Sequence, residues 1–263
     1  MKNVLLAGTA LVATALIASP AQAELKLDLG GHFSGYGVFV DQDNDTGFDD
    51  TGIRNNTEIH FTGETTLDNG LTVGVHVEQE VENNDNNNES YAYFSGGWGR
   101  VNFGNEDGAA YLLQVAAPAA DSNVDGLRTT INATKTPGNA GLADNADFGN
   151  APSDSGKNAP AARFTYLTPK FNGFQGGVSY APRAELPTGI MNLAQPTTGY
   201  ENLWELAARW DGEFEGIGMS LGAGYSDASG YGTVAPALQP DDLTTWNVGA
   251  NLSWNQFSFG GAY

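Results

Sequence analysis

The sequence predicts an all-β fold, and specifically a transmembrane antiparallel β-barrel. Three observations predict it: a period-two alternation of apolar and polar residues, a regular alternation of long and short connections, and an export leader at the N-terminus. The alternation is plainest from residue 203 to residue 254. Trp204, Leu206, Ala208 and Trp210 share one parity, and Glu205, Ala207, Arg209 and Asp211 share the other. Ile217, Met219, Leu221, Ala223 and Tyr225 repeat the apolar set, as do Trp246, Val248, Ala250, Leu252 and Trp254. A strand sends successive side chains to opposite faces. One face here is apolar with aromatics near its ends, and the other is polar, charged or Gly. A soluble sandwich buries its apolar face against a second sheet. A membrane barrel turns that face to lipid and the polar face to a watery lumen.

The N-terminus separates these readings. Lys2 supplies a positive start, residues 4–18 are largely apolar, and Ala21-Gln22-Ala23 is a small-x-small site before Glu24. This pattern predicts a signal peptide over 1–23 and a mature barrel over 24–263. The apolar stretch is short of the roughly 20 residues a spanning helix needs. No later run reaches that length, so a mature chain in a membrane crosses it as strands. Mean hydropathy is −0.30, too polar for a helical membrane protein, but alternation hides hydrophobicity from an average. Gly is frequent, 35 of 263 residues, and Cys is absent, which removes disulfide and thiol chemistry. The 31 acids against 11 bases give a net charge of −20. That sign disfavours nucleic acid as a partner and favours cations gathering around the molecule.

Taken in order, strands are expected at 24–40, 53–67, 71–82, 89–95, 100–105, 162–168, 174–181, 202–212, 217–226, 243–254 and 257–263. In the first, Leu25, Leu27, Leu29, Gly31, Phe33 and Phe39 oppose Lys26, Asp28, His32 and Ser34. Val38 and Val40 break its parity, which predicts a bulge or a change of environment there. In the second, Ile53, Thr57, Ile59, Phe61 and Gly63 oppose Arg54, Asn56, Glu58, His60 and Thr62. In the third, Leu71, Val73, Val75 and Val77 oppose Thr72, Gly74, His76, Glu78 and Glu80. The connections alternate. Asp68-Asn69-Gly70 is a hairpin turn, and Gly96-Gly97-Trp98-Gly99, 169–173, 213–216 and Asn255-Gln256 are also short. The linkers 41–52, 106–161, 182–201 and 227–242 are long, and 83–88 is rich in Asn. Outer-membrane barrels have long loops at one rim and short turns at the other.

Two stretches resemble a known family. Glu89-Ser90-Tyr91-Ala92-Tyr93-Phe94-Ser95 followed by Gly96-Gly97-Trp98-Gly99-Arg100-Val101-Asn102-Phe103-Gly104-Asn105 is similar to the fourth and fifth strands of general bacterial porins. So is Arg163-Phe164-Thr165-Tyr166-Leu167-Thr168-Pro169-Lys170-Phe171-Asn172-Gly173-Phe174, continuing to Tyr180 and Pro182. The likeness is greater to the alphaproteobacterial and betaproteobacterial members. It implies a 16-stranded barrel in the cell outer membrane, usually a homotrimer among lipid and lipopolysaccharide, that passes small hydrophilic solutes and ions. It also implies that the loop after the fifth strand, here 106–161, folds into the lumen and narrows it; the loop's apolar piece, Ala109 to Val115, is expected to pack it against the wall as a short helix. The family's Pro-Glu-Phe-Gly-Gly eyelet motif is absent. Eleven strands is an odd number, which predicts a sequence truncated at its C-terminus, with a smaller barrel as the alternative.

A diffusion pore needs a width and a lining field rather than a nucleophile. Parity assigns Arg54, Glu58, His60, His76, Glu78, Arg163, Glu205 and Arg209 to the lumen. The loop offers Glu106, Asp107, Asp121 and Asp125, with Arg128 and Lys135. The expected constriction sets Arg54, His60 and Arg163 against Glu106, Asp107 and Asp121, and the acidic lining predicts cation selectivity. His32, His60 and His76, the chain's three histidines, share lumen parity on consecutive strands. They read either as hydrogen-bonded wall residues or as a metal or pH-sensitive patch. Asp41, Asp43, Asp45, Asp49 and Asp50 loosely resemble a calcium loop, but Gly47 stands at position seven rather than six and no Glu stands at twelve. They suggest at most weakly bound Ca²⁺. No cofactor is expected. No nucleophile elbow, zinc-helix motif or phosphate-binding loop is present, so an enzyme is not expected. A substrate-specific channel or a non-conducting adhesin barrel is the alternative. The mostly lipid-side parity of Tyr and Trp argues against a sugar slide.

Overall fold

The computed structural model describes residues 25–39, 51–81, 87–118, 161–183, 198–232 and 241–263. It is one sheet of eleven strands in simple sequence order, each antiparallel to its neighbours. The strands are β1 (Lys26–Phe39), β2 (Thr51–Thr66), β3 (Thr72–Glu80), β4 (Asn87–Gly96), β5 (Gly99–Glu106), β6 (Ala161–Leu167), β7 (Phe174–Arg183), β8 (Thr198–Phe214), β9 (Ile217–Gly232), β10 (Leu243–Trp254) and β11 (Phe257–Ala262). A short helix, α1 (Ala109–Leu112), follows β5. Among the described residues no helix is long and apolar enough to cross a membrane.

The alternation in the sequence is the alternation in space. Along β8, Leu203, Glu205 and Ala207 are buried, whereas Trp204 and Leu206 are 54% and 62% exposed. An outward row of this kind is what lipid covers. The outer face also ends in aromatics. Trp246 and Trp254, at opposite ends of β10, are both exposed and stand about 26 Å apart along the strand. Trp98 stacks on Tyr166 and Phe174 meets Trp210 at the short-turn end, while Tyr180 meets Trp204 and Trp246 meets Tyr263 at the other. Two such belts mark the levels where a bilayer meets water.

The short turns have clear local causes. Asn172-Gly173 and Glu215-Gly216 all take positive φ, the conformation that matches the twist of a two-residue hairpin. The expected bulge at Val38 is not present. β1 stays in register with β2 through Phe39 opposite Thr51. β2 begins early enough to pair with the whole of β1, so the ladder has no break to absorb. Register shifts fall instead between Glu78 and Gln79, where β3 meets β4, and between Glu201 and Trp204 in β8, where Asn202 takes φ 55°.

Strand length varies around the sheet. β8 and β9 have 17 and 16 residues and β2 has 16. β3 to β7 have only 7 to 10. About 9–11 tilted residues cross a bilayer core. The β8–β9 hairpin therefore rises beyond the membrane at the long-loop rim.

Candidate functional site: the inner face and the segment folded onto it

The face opposite the apolar one carries the functional groups. The chain leaving β5 turns onto it at once. The Gly108 carbonyl accepts from the Tyr111 and Leu112 amides at 3.1 and 2.9 Å, and Leu113 N–H donates to Ala109 O at 3.2 Å. α1 is one turn, too short to persist alone. The wall holds it. Ala109 N–H donates to Ser179 Oγ at 3.1 Å, Ser179 Oγ donates to Glu205 Oε2 at 2.6 Å, and Arg163 Nη1 donates to the same oxygen at 3.0 Å. Further on, Arg209 Nη1 donates to Gln114 O at 3.2 Å and Asn251 Nδ2 to Ala116 O at 2.9 Å. Ala109, Ala110, Leu113, Val115 and Ala116 are all buried.

Glycines let the backbone lie this close. A Cβ at Gly249 would strike the Val115 carbonyl, one at Gly222 would strike Val115, and one at Gly224 would press on Ala110. Gly108 itself has no room for a Cβ beside the Arg163–Glu205 pair. Gly222 pairs with Gly249 across β9 and β10, so the trough runs across strands rather than along one.

The other half of the inner face, β1 to β5, is acidic and carries the histidines. His60 stands opposite Glu78 in the ladder, Glu58 opposite Glu80, and Glu78 opposite Glu89. Glu58 Oε2 lies 3.5 Å from His32 Nδ1 and 3.2 Å from His60 Nε2. Glu78 lies 3.6 Å from His60 Nε2 and 3.7 Å from His76 Nε2. Toward the short-turn end, Arg100 lies over the Tyr93 ring at 3.9 Å and donates to Asn102 Oδ1 at 2.6 Å. Asn102 in turn donates to Glu106. Tyr91 and Tyr93 thus take the inner face, unlike the tryptophans.

The structure sorts the expected lining residues. Glu58, His60, His76 and Glu78 converge on one patch, with Asp107 half-buried nearby, its amide donating to Glu89 Oε1 at 3.3 Å. Arg163 faces inward as parity required, but it is not a free constriction charge. It pairs with Glu205, and the two side chains are 2% and 1% exposed, because Gly108 and α1 cover them. Glu106 is corrected likewise: it is buried beside Asn102 at the root of the segment. The opposition of Arg163 to Glu106 across an open eyelet is therefore replaced by two anchored groups under one strap. Arg54 lies in β2 opposite Tyr36, but its side chain falls outside the described residues. So do Asp121, Asp125, Arg128, Lys135, the Asp41, Asp43, Asp45, Asp49 and Asp50 run, and residues 1–23. Sequence reading missed the glycine trough, although its signal is visible: Gly222, Gly224 and Gly249 share lumen parity.

The profile of the family described as Gram-negative porin matches residues 7–263. The chain belongs to that family. No curated protein sequence matches it. Among solved structures the porin is similar to an anion-selective porin from Comamonas acidovorans, with 16% identity and TM-score 0.51, over 91% of this chain and 67% of that one. It is similar to the OmpT loop-L8 deletion mutant of Vibrio cholerae, an outer membrane protein, with 14% identity and TM-score 0.51, over 91% and 68%. It is also similar to Salmonella typhi OmpF in complex with daunomycin, with 15% identity and TM-score 0.57, over 93% and 66%. At these identities the likeness is one of fold. The family makes this porin an outer-membrane β-barrel channel and not an enzyme.

Proposed function

We propose that this porin is a cation-preferring passive diffusion channel for small hydrophilic solutes and ions. Its signal peptide is residues 1–23, and it acts as a homotrimer surrounded by outer-membrane lipid and lipopolysaccharide. The observation that carries the selectivity is the charge of the inner face from β2 to β5. Glu58, Glu64, Glu78, Glu80 and Glu89 stand there against Arg100. A water-filled passage walled by carboxylates lowers the energy of a cation more than that of an anion. The similar Comamonas porin is named anion-selective, so the fold serves either sign and the chain's own charges decide. The segment 107–118 narrows the passage by lying on the wall between β6 and β10.

The test is a planar bilayer separating unequal potassium chloride solutions. Stepwise ohmic conductance in threes supports a trimeric open pore, and a reversal potential on the potassium side supports cation preference. A reversal potential on the chloride side overturns it. An inserted but silent barrel would favour the adhesin or the substrate-specific channel.

A further inference from the structure

We propose that the inner wall of β1 to β3 is a binding site for one divalent transition-metal ion of the zinc, nickel or copper class, centred on His60. The geometry gathers donor atoms that could form a ligand shell. Two triads share the His60 ring: His32, Glu58 and His60, and then His60, His76 and Glu78, each with its donor atoms within 4.8 Å of one another. A tetrahedral ion with bonds of about 2.0–2.1 Å keeps its donors about 3.3–3.4 Å apart. Glu58 Oε2 to His60 Nε2 is 3.2 Å, Glu58 Oε2 to His32 Nδ1 is 3.5 Å, and Glu78 Oε1 to His60 Nε2 is 3.6 Å. These three spacings lie close to that value. His60 Nε2 faces both Glu58 and Glu78, so one ion is proposed rather than two.

Two further features point to a cation. Glu58 stands directly opposite Glu80, and Glu78 directly opposite Glu89. Like charges in facing positions destabilise a sheet, and a dication among them turns that repulsion into attraction. Thr62 Oγ1 lies 2.9 Å from His76 Nδ1. If the hydroxyl accepts the Nδ1 proton, the lone pair is left on Nε2, toward Glu78. Metal-bound histidines are ordinarily oriented through the other ring nitrogen in this way. Imidazole with carboxylate selects zinc, copper or nickel over calcium and magnesium, which prefer all-oxygen shells. This site rests on the reading of the inner face as a water-filled lumen, through which the ion would arrive.

The test is calorimetric titration of zinc chloride into the full chain folded in detergent micelles, with magnesium chloride as competitor. Saturable binding at one zinc per chain, unaffected by magnesium, is expected. His60→Gln should weaken it by at least about 100-fold, and Thr62→Val by about tenfold through loss of orientation. Absent saturable binding, or binding unchanged in His60→Gln, overturns the site. If His60→Gln does not fold, judged by heat-dependent gel mobility, the double variant H32Q/H76Q decides. Retained affinity there also overturns the proposal. Because binding is read in micelles and conduction in bilayers, a barrel that conducts but binds no zinc refutes this inference alone.

Discussion

Removing the Arg163 guanidinium leaves the Glu205 carboxylate in a place that water scarcely reaches. Breaking a buried pair costs more than the pair contributes, because the remaining charge is uncompensated. Arg163→Ala should therefore destabilise the folded barrel by about 3–5 kcal/mol, read as a lower urea midpoint in vesicles. A loss below about 1 kcal/mol would mean that the pair behaves as a solvated surface bridge. R163M/E205L, which replaces both charges with apolar side chains, should recover much of that loss. Parity in the sequence put both residues on the inner face. It did not show that they meet, because Arg163 and Glu205 lie on β6 and β8 with β7 between them, and the strap that seals them comes from β5. Residue-scale reading gives the side of the wall, and only the folded chain gives what lies on top of it.

At the scale of elements, the strands were legible because lipid demands an unbroken outer row of apolar groups. Leu206 sits in that row, and Leu206→Arg should cost about 2–4 kcal/mol in a bilayer, measured by the same urea titration. An unchanged midpoint would place this face out of lipid. The alternation stops informing where the membrane stops. β8 starts at Thr198 and β9 runs to Gly232, several residues beyond what the pattern indicates, since Ser, Gly and Asp above the bilayer need no apolar partner row. The strap was legible only as a long loop with an apolar piece. Its seat could be found only by asking why Gly222, Gly224 and Gly249 all point inward. Gly249→Val should lift residues 107–118 off the wall. Single-channel conductance should then rise while the barrel stays folded, and an unchanged conductance would mean that the strap is held elsewhere.

For the whole molecule, family and outer-membrane setting were legible from the strand motifs together with the loop rhythm, because both follow from crossing a bilayer with hairpins. Selectivity is a sum over the wall and depends on which charges remain uncompensated. Arg163, Glu205 and Arg209 are taken up in holding the strap, and the proposed cation preference rests on the acids of β2 to β5. Glu78→Gln with Glu89→Gln should lower the potassium-to-chloride permeability ratio roughly severalfold, seen as a reversal potential closer to zero. No shift would assign the preference to other charges. Two of these acids stand near one mouth. Glu80 and Glu89 lie toward the long-loop ends of β3 and β4, and Arg100 lies at the short-turn end of β5. A passage with its negative charge gathered at one mouth is an electrical asymmetry. Equal and opposite voltages should drive unequal currents through it, so this charge placement would make the pore a weak diode.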